Sequence, residues 1–307
     1  MDTPFIQANT NGQLHDAGTT SLAPLDRGFL YGDAVYEVWR TYDGAVFAFD
    51  EHWERLQRSA GALFLQLPLE RAALLGEIRR TAAAYVERTG HVGPLYLRLQ
   101  VTRGSGEIGL DPALAGPSTF VILVQRLRLP APEKCRAGLR LAVARRLRRN
   151  PPEALDPAWK TGNYLNNLLC LREARTRGAD EVVILNQAGK VTEAAVANLF
   201  FVRRNAVVTP PLSAGLLGGI TRGLLLERIA ARVGVTGLEE DVAPADFGFY
   251  DGCFLSSTTR DLVPVAAIDE HAFPVDDSSL VWKLKAAFQN YATEYAGARP
   301  ELRIAAG

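Results

Sequence analysis

The sequence predicts an α/β chain in two parts, a small α+β domain followed by a larger α/β domain. Three observations predict this. The chain has 307 residues, helical and strand patterns alternate along it, and a proline-containing segment without periodicity lies near its middle. We place the small domain at residues 1–125, an interdomain connection at 126–134 and the large domain at 135–307.

The small domain contains a predicted β-hairpin and two helices. Asp43-Gly44 separates two β-prone runs between Tyr31 and Phe49, which is a strong signal for a two-residue turn. Asp50 is expected to cap the helix that follows. The other predicted elements are a helix at about 69–89 and strands at 95–102 and 119–125.

The large domain alternates strands and helices. Its predicted strands are 139–144, EVVILN, VANLFFV, AVVTPP, CFLSSTT and 262–268. Its predicted helices are 163–177, a helix opened by the loop AGLLGGITR and running to about Val233, and 278–295.

Composition excludes several classes of protein. Lys plus Arg and Asp plus Glu both number 34, so the formal net charge is zero and there is no general attraction for nucleic acid or an acidic membrane. No apolar run approaches the ~20 residues of a membrane span, and the N-terminus lacks a signal pattern. Three scattered cysteines and four isolated histidines predict neither disulfides nor a metal site. We expect a soluble, cytoplasmic protein.

The segment GSGEIG, Gly104–Gly109, matches the glycine pattern of dinucleotide-binding loops. That pattern requires a helix directly after it and an acidic residue about 20 positions on. Here LDPALAGPSTF follows, with two prolines, and QRLRLP stands at the later position. The match therefore does not predict a nicotinamide site, and a glycine-rich active-site loop or an ordinary turn both stay open.

Two later segments carry groups suited to an anion. Gly218 and Gly219 precede Ile220 and Thr221, where a helix is expected, and the free N–H groups of a helix start favour a phosphate. A simple turn with Thr221 as a helix cap explains the pattern equally well. The hydroxyls of residues 256–259 can hold a phosphate or a carboxylate, although solvated hydroxyls at a strand end are the simpler interpretation.

Three charged residues are candidates for chemistry. Lys160 lies beside Trp159 and ahead of a helix, where burial would lower the pKa of its amine toward Schiff-base use, although a lone lysine is ordinarily a surface charge. Glu193 lies between apolar runs, so it is either exposed on a turn or has a cationic partner inside. Arg55 lies off the apolar stripe of its helix and would ordinarily be solvated.

In order along the chain, seven motifs resemble those of one family. The motifs are DRGFLYGDAVYEVWR, HWERLQRSA, LYLRLQVTRG, WKTGNYLNNLL, VTEAAVANLF, LLGGITR and FLSSTTRDLVPV. They are similar to the class IV, or fold-type IV, pyridoxal-phosphate aminotransferases, and the resemblance runs from about residue 4 to 290. It implies two α/β domains with the cofactor in the cleft between them.

The resemblance implies roles in binding pyridoxal 5′-phosphate. Lys160 would form the Schiff base and move a proton between the substrate Cα and the cofactor. Glu193 would pair with the pyridine nitrogen, and Tyr164 with the phenolic oxygen. The residues implied for the phosphate are Arg55, Ile220, Thr221 and Thr258, and Leu217 is implied to pack on the ring.

The resemblance also implies residues that bind the substrate, namely Tyr31, Tyr36, Tyr96, Arg98 and Thr259. One type of D-amino-acid transaminase traps the α-carboxylate with an Arg-x-His pair, and here Ile108 and Leu110 stand at those positions. The Tyr-x-Arg of the branched-chain enzymes is present, and its Arg98 would receive the distal carboxylate of glutamate or 2-oxoglutarate. Tyr31 would reach the partner subunit's active site in a homodimer or higher homo-oligomer.

We therefore predict ping-pong transfer of an amino group from an amino acid, first a branched-chain L-amino acid, to 2-oxoglutarate. The alternatives are a D-amino-acid or R-selective amine transaminase, and then an aminodeoxychorismate lyase. Tyr36, where many branched-chain enzymes carry Phe, is a feature shared with the D-specific members. Outside the family, a nicotinamide oxidoreductase rests on GSGEIG alone, and a non-catalytic cofactor-binding or scaffold protein would need the lysine or the phosphate ligands to be missing.

Overall fold

The computed structural model describes residues 5–304. Residues 1–4 and 305–307, which belong to the small and the large predicted domain respectively, lie outside the described part. The chain divides into two compact units. The first contains the chain up to Arg128, the segment Trp159–Asn163 and the chain from Ala292 onward, and the second contains Leu129–Ala158 and Tyr164–Tyr291. The sequence alone assigns 159–163 and 292–307 to the large domain, whose limits stay a prediction.

The first unit is built on an antiparallel sheet with the strand order β2-β1-β6-β5-β3-β4. Helices α2 (Phe49–Ala62) and α3 (Arg71–Thr89) pack against β1, β3 and β6. The elements are β1 (Gln7–Thr10), β2 (Gln13–Asp16), α1 (Arg27–Tyr31), β3 (Ala34–Tyr42), β4 (Ala45–Val46), α2 (Phe49–Ala62), α3 (Arg71–Thr89), β5 (Leu95–Thr102) and β6 (Thr119–Arg126).

Strand β5 alternates buried and half-buried side chains from Leu95 to Val101, and the strand predicted there is confirmed. Leu97 and Leu99 are buried on the face that also carries Trp39 of β3. Because successive side chains of a strand point to opposite faces, Arg98 and Gln100 lie on the other face. The helices thus cover one side of the central strands, and polar groups collect on the other.

The predicted hairpin joins β3 and β4. Asp43 and Gly44 both have left-handed backbone angles, φ 46° and φ 77°, as a two-residue turn between right-twisted strands requires. Asp50 does not cap α2, so that prediction is wrong. The helix begins at Phe49 with Ala48 as its N-cap, and Asp50 accepts instead from Arg71 Nε at 2.6 Å.

The second unit contains a mixed sheet with the strand order β11-β10-β9-β12-β13-β7-β8, and β14 pairs with β13. Three strand pairs are parallel, β7 with β8, β7 with β13, and β10 with β11. The elements are α4 (Pro132–Ala137), β7 (Leu139–Val143), α5 (Pro152–Leu155), α6 (Leu165–Thr176), β8 (Glu181–Val183), β9 (Asn198–Arg203), β10 (Ala206–Thr209), α7 (Ile220–Leu224), α8 (Ala230–Arg232), β11 (Thr236–Glu239), β12 (Gly252–Ser257), β13 (Asp261–Ile268), β14 (His271–Ala272) and α9 (Leu280–Ala298), whose last residues belong to the first unit.

A large apolar core fills the second unit around its central strands. Phe201 of β9, Leu255 of β12 and Val263 of β13 are all buried in it. A smaller cluster, which includes Cys170 of α6 and Val182 of β8, lies under α6. The predicted fold class, a small α+β part and a larger α/β part, is confirmed. No helix within residues 5–304 is both long and apolar enough to cross a bilayer.

The glycines of GSGEIG allow two stretches of backbone to approach closely. A Cβ added to Gly104 would lie 1.9 Å from the carbonyl oxygen of Pro117, and one added to Gly106 would lie 2.0 Å from that of Leu114. Gly104 also has a φ of +85°, which favours glycine. Only a short 3₁₀ turn, Pro112–Leu114, follows the segment before β6. The glycine pattern therefore serves backbone packing rather than the opening of a helix.

The loop AGLLGGITR does open a helix, as predicted. The helical backbone starts at Ile220 and runs through α7, a π-helical stretch at Leu225–Ile229 and α8 to Arg232. The spacing of apolar residues gave no sign of the π-helical stretch, because its hydrogen bonds shift by only one residue.

Candidate active site

Lys160 lies in the first unit, in a short irregular segment beside the start of β3. The amide of Tyr36 donates to its carbonyl at 3.0 Å, and the amide of Lys160 donates to Ser59 Oγ of α2 at 3.1 Å. These two bonds fix the backbone of the lysine from both sides. Its Nζ lies 3.3 Å from the hydroxyl oxygen of Tyr36 and 4.4 Å from the centroid of that ring.

Arg98 contacts the same aromatic ring. Its Cζ lies 4.1 Å from the ring centroid of Tyr36, and its Nη2 donates to Gln100 Oε1 at 2.9 Å. The strand register explains the grouping, because Tyr36 is paired with Gln100 and Arg98 is the next residue on that face of β5. The structure thus brings Lys160, Tyr36 and Arg98 together. Sequence reasoning missed Gln100, which the period of two along LYLRLQ could have revealed.

The remaining predicted substrate residues of this unit lie at two places. Tyr96 is on β5, on the same face as Arg98. Tyr31 ends α1, and its hydroxyl accepts from the amide of Gly109 at 3.1 Å. The side chains of Ile108 and Leu110, on either side of that glycine, are 76% and 79% exposed.

Arg55 is buried, so the expectation of a solvated arginine from its helix position alone is wrong. Its Nε donates to Glu37 Oε1 at 2.7 Å, and its Nη2 donates to Oε2 at 2.8 Å, in a bidentate ion pair between α2 and β3. His52 Nδ1 lies 2.6 Å from the same Oε2. Ser59 is one helical turn after Arg55, so the helix face that holds this pair also holds the backbone of Lys160.

The buried pair has a clear electrostatic character. Burial alone would raise the pKa of Glu37, but the charge of Arg55 and the hydrogen bonds from Arg55 and His52 hold that pKa far below its usual value. Burial lowers the pKa of His52, the charges of Arg55 and Lys160 lower it further, and Glu37 opposes them. The imidazole is therefore neutral near pH 7. Sequence reasoning missed both Glu37 and the pairing of His52.

The second unit contains Glu193, in the segment between β8 and β9. This carboxylate is 6% exposed and has a cationic partner, which decides between the two sequence-based interpretations. Arg149 Nε and Nη2 both lie 2.9 Å from its Oε1. The amide of Leu217 donates to Oε2 at 3.1 Å. Sequence reasoning missed Arg149, which is one of several arginines in RRLRRN.

Asn198 ties the glycine loop to this carboxylate. Its Nδ2 donates to the carbonyl of Leu217 at 2.9 Å and lies 3.5 Å from Glu193 Oε2. A Cβ on Gly219 would lie 2.1 Å from Asn198 Oδ1, so a larger residue there would displace the Asn198 side chain. Leu217 is thereby held beside Glu193, and its packing on the cofactor ring stays a prediction.

The start of α7 is available to an anion. Gly219 is its N-cap residue, and no side chain caps the helix. Thr221 is 3% exposed and Ile220 is half-buried. The expected role of Thr221 as a simple cap is not observed. Tyr164 lies at the N-cap position of α6 and is half-buried.

Thr258 and Thr259 form the turn between β12 and β13 and are half-buried. Ser256, just before them, is 1% exposed, and its hydroxyl has no hydrogen-bond partner within the part of the chain that is described. The register pairs Ser256 with Asn198, so hydroxyls and an amide lie on one face of the sheet. A search of residues 5–304 for three or more His, Cys, Asp or Glu side chains able to share a metal ion found no such group.

Comparison with known proteins identifies the family. Residues 34–268 match the model of the class IV aminotransferases. The chain is 34% identical over 287 residues to a Methanocaldococcus jannaschii protein named "Putative branched-chain-amino-acid aminotransferase", covering 93% of this chain and 96% of that protein. It is 29% identical over 270 residues to the D-alanine aminotransferase of Bacillus licheniformis, covering 84% and 87%.

A solved structure has the same fold across nearly the whole chain. The branched-chain aminotransferase of Thermoproteus uzoniensis, crystallised with norvaline, superposes with a TM-score of 0.85 at 27% identity, covering 97% of this chain and 98% of that one. The chain therefore belongs to the class IV aminotransferase family, whose members depend on pyridoxal 5′-phosphate.

The residues present fit this cofactor. The lysine amine of Lys160 suits an aldehyde, and the buried carboxylate of Glu193 suits a protonated ring nitrogen. The uncapped helix start at Ile220 and the buried, unpartnered hydroxyl of Ser256 offer donors to an anion. Lysine, carboxylate and anion-binding groups are the set of functional groups that a phosphorylated pyridine aldehyde requires.

Proposed function

We propose that this enzyme transfers the amino group of a branched-chain L-amino acid to 2-oxoglutarate in a ping-pong reaction. The observation that carries the proposal is the contact of both Lys160 and Arg98 with one aromatic ring, that of Tyr36. An amine that acts at the substrate Cα and a guanidinium able to pair with a distal carboxylate are thereby held at a fixed separation. The names of the Methanocaldococcus and Thermoproteus proteins support the same substrate class.

The residues that the family resemblance implies for the cofactor would hold it. Lys160 would bond its aldehyde carbon, and Arg55, the start of α7 and Thr258 would bind its phosphate. Glu193 would accept from the ring nitrogen, Tyr164 would bond the phenolic oxygen and Leu217 would pack on the ring. When bound, pyridoxal phosphate supplies an aldehyde that condenses with amines and a ring that accepts electrons from the substrate Cα. The location of the cofactor in a cleft between domains stays a prediction.

Lys160 carries the proton transfer. Its Nζ would take the proton from the substrate Cα and would carry it to C4′ of the cofactor when that group is bound. The hydroxyl of Tyr36, 3.3 Å away, restrains the amine during both transfers. The backbone bonds from Tyr36 and to Ser59 keep the lysine at this position while its side chain is free of the cofactor.

Substrate side chains of two kinds must occupy the same pocket. An apolar side chain would pack against the rings of Tyr36 and Tyr96, while Arg98 stays on the Tyr36 face with Gln100 accepting from it. A distal carboxylate would pair with the guanidinium of Arg98. Thr259, in the turn before β13, completes the proposed set of substrate-binding residues.

A D-amino-acid transaminase is the second candidate, favoured by the similarity to the Bacillus licheniformis D-alanine enzyme. The residues at the Arg-x-His positions, Ile108 and Leu110, carry no charge, and their side chains are exposed. An α-carboxylate could not form an ion pair with either of them, which places this candidate second. An R-selective amine transaminase and an aminodeoxychorismate lyase follow it.

A homodimer and a cytoplasmic location are part of the proposal. The side chains of Phe29, Ile108 and Leu110 are at least 75% exposed, and Tyr31 and Arg27 bind the loop that carries the last two. Apolar patches of this kind favour an interface, here with a second copy whose active site Tyr31 would reach. The free thiols of the protein are typical of a reducing compartment.

Arg98→Ala tests the proposal. Loss of a charge-assisted pair should lower kcat/KM for 2-oxoglutarate roughly 10- to 100-fold. The same variant should change kcat/KM for 4-methyl-2-oxopentanoate only slightly. Arg58→Ala, at an exposed position of α2, is the control and should alter neither value. Equal losses for both oxo acids would remove Arg98 from the proposal.

A further inference from the structure

Arg149 forms an ion pair with Glu193, and the family resemblance assigns it no role. Its Nε donates to Oε1 at 2.9 Å and its Nη2 lies 2.9 Å from the same oxygen, while the other oxygen accepts from the amide of Leu217. The side chain of Arg149 is 12% exposed and that of Glu193 is 7% exposed. The two charges therefore interact with little screening by water.

The guanidinium of Arg149 is itself held from two sides. Its Nη1 donates to Asn167 Oδ1 of α6 at 3.2 Å, and Asn167 Nδ2 donates to the carbonyl of Ala195 at 2.9 Å. The amide of Arg149 donates to the carbonyl of Leu185 at 2.8 Å. The arginine is thus fixed relative to the segment that carries Glu193, and this degree of support exceeds what a surface ion pair receives.

A guanidinium paired with one oxygen of a buried carboxylate disfavours protonation of that carboxylate. Without a cation, a carboxylate in a buried site takes up a proton readily, because burial penalises its charge. When two nitrogens of an arginine lie against the carboxylate, protonation of that carboxylate would leave a buried guanidinium without its counter-charge, which is costly. Glu193 is thereby made a poor base for any proton that it shares with a bound group.

We propose that Arg149 is a positioning residue that keeps Glu193 ionised and oriented, so that a proton shared with the cofactor stays on the ring nitrogen. The inference rests on the proposed pairing of Glu193 with that nitrogen. Replacing Arg149 by a neutral residue moves the proton to Glu193, which weakens the ring as an electron acceptor. A lysine keeps the charge but loses the two-point contact, so it has an intermediate effect.

The test is ¹⁵N NMR of the holoenzyme loaded with pyridoxal phosphate labelled at the ring nitrogen, at a fixed pH near 7. The chemical shift reports whether that nitrogen carries the proton. We expect the protonated fraction to fall in the order wild type, Arg149→Lys, Arg149→Gln. Arg148→Gln is the matched control, because Arg148 bonds only local backbone carbonyls through its Nη1, and it should leave the shift unchanged.

The outcomes separate the inference from the function on which it rests. An unchanged shift in both Arg149 variants overturns the inference, provided that Glu193→Gln removes the protonated signal. An unchanged shift in Glu193→Gln itself overturns the proposed role of Glu193 instead. If Arg149→Gln does not fold, Arg149→Lys decides alone, because a reduced protonated fraction supports the inference and an unchanged one overturns it.

Discussion

Lys160 Nζ lies 3.3 Å from the hydroxyl oxygen of Tyr36 and 4.4 Å from the centroid of its ring, although 124 positions separate the two residues in the sequence. Arg98 lies on the same ring. Tyr36 is 6% exposed, so the ring is held by its packing in β3. One aromatic side chain therefore sets the separation between the amine and the guanidinium that the proposed reaction uses.

Replacement of Tyr36 separates the role of its hydroxyl from that of its ring. Tyr36→Phe removes one hydrogen bond, worth about 1 kcal/mol, so kcat/KM should fall roughly fivefold for leucine and glutamate alike. Tyr36→Leu also removes the surface on which Arg98 lies, so it should reduce kcat/KM for glutamate more than for leucine. Steady-state kinetics with the two amino acids measures both effects. A loss in Tyr36→Leu that is equal for both substrates would show that the ring does not position Arg98.

The buried pair of Glu37 and Arg55 predicts a large stability effect. Glu37→Gln keeps the shape but leaves the Arg55 guanidinium without its counter-charge, which should cost about 3–5 kcal/mol of unfolding free energy. Denaturant unfolding followed by tryptophan fluorescence measures this. Glu54→Gln, which breaks an exposed pair with Arg58 on the same helix, is the control and should have little effect. Similar losses in the two variants would contradict the buried-pair explanation.

His52 predicts a pH dependence of stability. Its pKa is lowered in the folded state, chiefly by burial, so below pH ~6.5 the unfolded chain binds a proton that the folded chain does not. The wild type should therefore lose stability relative to His52→Gln as the pH falls from 7.5 to 5.5, by at most about 1.4 kcal/mol per pH unit. Unfolding curves at several pH values measure the difference. If the difference in unfolding free energy between the wild type and His52→Gln stays constant, or changes in favour of the wild type as the pH falls, that result would contradict a neutral buried imidazole.

Features set by neighbouring residues were predictable from the sequence. Asp43 and Gly44 adopt the left-handed angles that only a few residue types tolerate, and the alternation of LYLRLQVT gave β5 with its exact limits. The N-cap of α2 was not predictable in the same way. Asp50 is a better cap residue than Ala48, but the turn after β4 places the helix start two residues earlier.

Partners distant in the sequence were not predictable. The helix position of Arg55 predicts a solvated side chain because it says nothing about Glu37, which contacts Arg55 from a strand 18 positions earlier. The sequence predicts a cationic partner for Glu193 without identifying it, and among the several arginines of RRLRRN the fold selects Arg149. The family motifs named single residues with their roles, whereas the ion pairs that support them, Glu37 with Arg55 and Arg149 with Glu193, follow from packing that no motif records.

The most direct test of the proposed function is a half-reaction on the pyridoxal-phosphate form of the protein. The purified enzyme is mixed with L-leucine, D-alanine or R-1-phenylethylamine, and the conversion of the yellow cofactor to its pyridoxamine form is followed by absorbance. We predict rapid conversion with L-leucine, slow or no conversion with the other two, and no conversion by Lys160→Ala. Conversion by D-alanine or the R-amine but not by L-leucine would contradict the proposed substrate class, and full activity of Lys160→Ala would contradict the proposed role of Lys160.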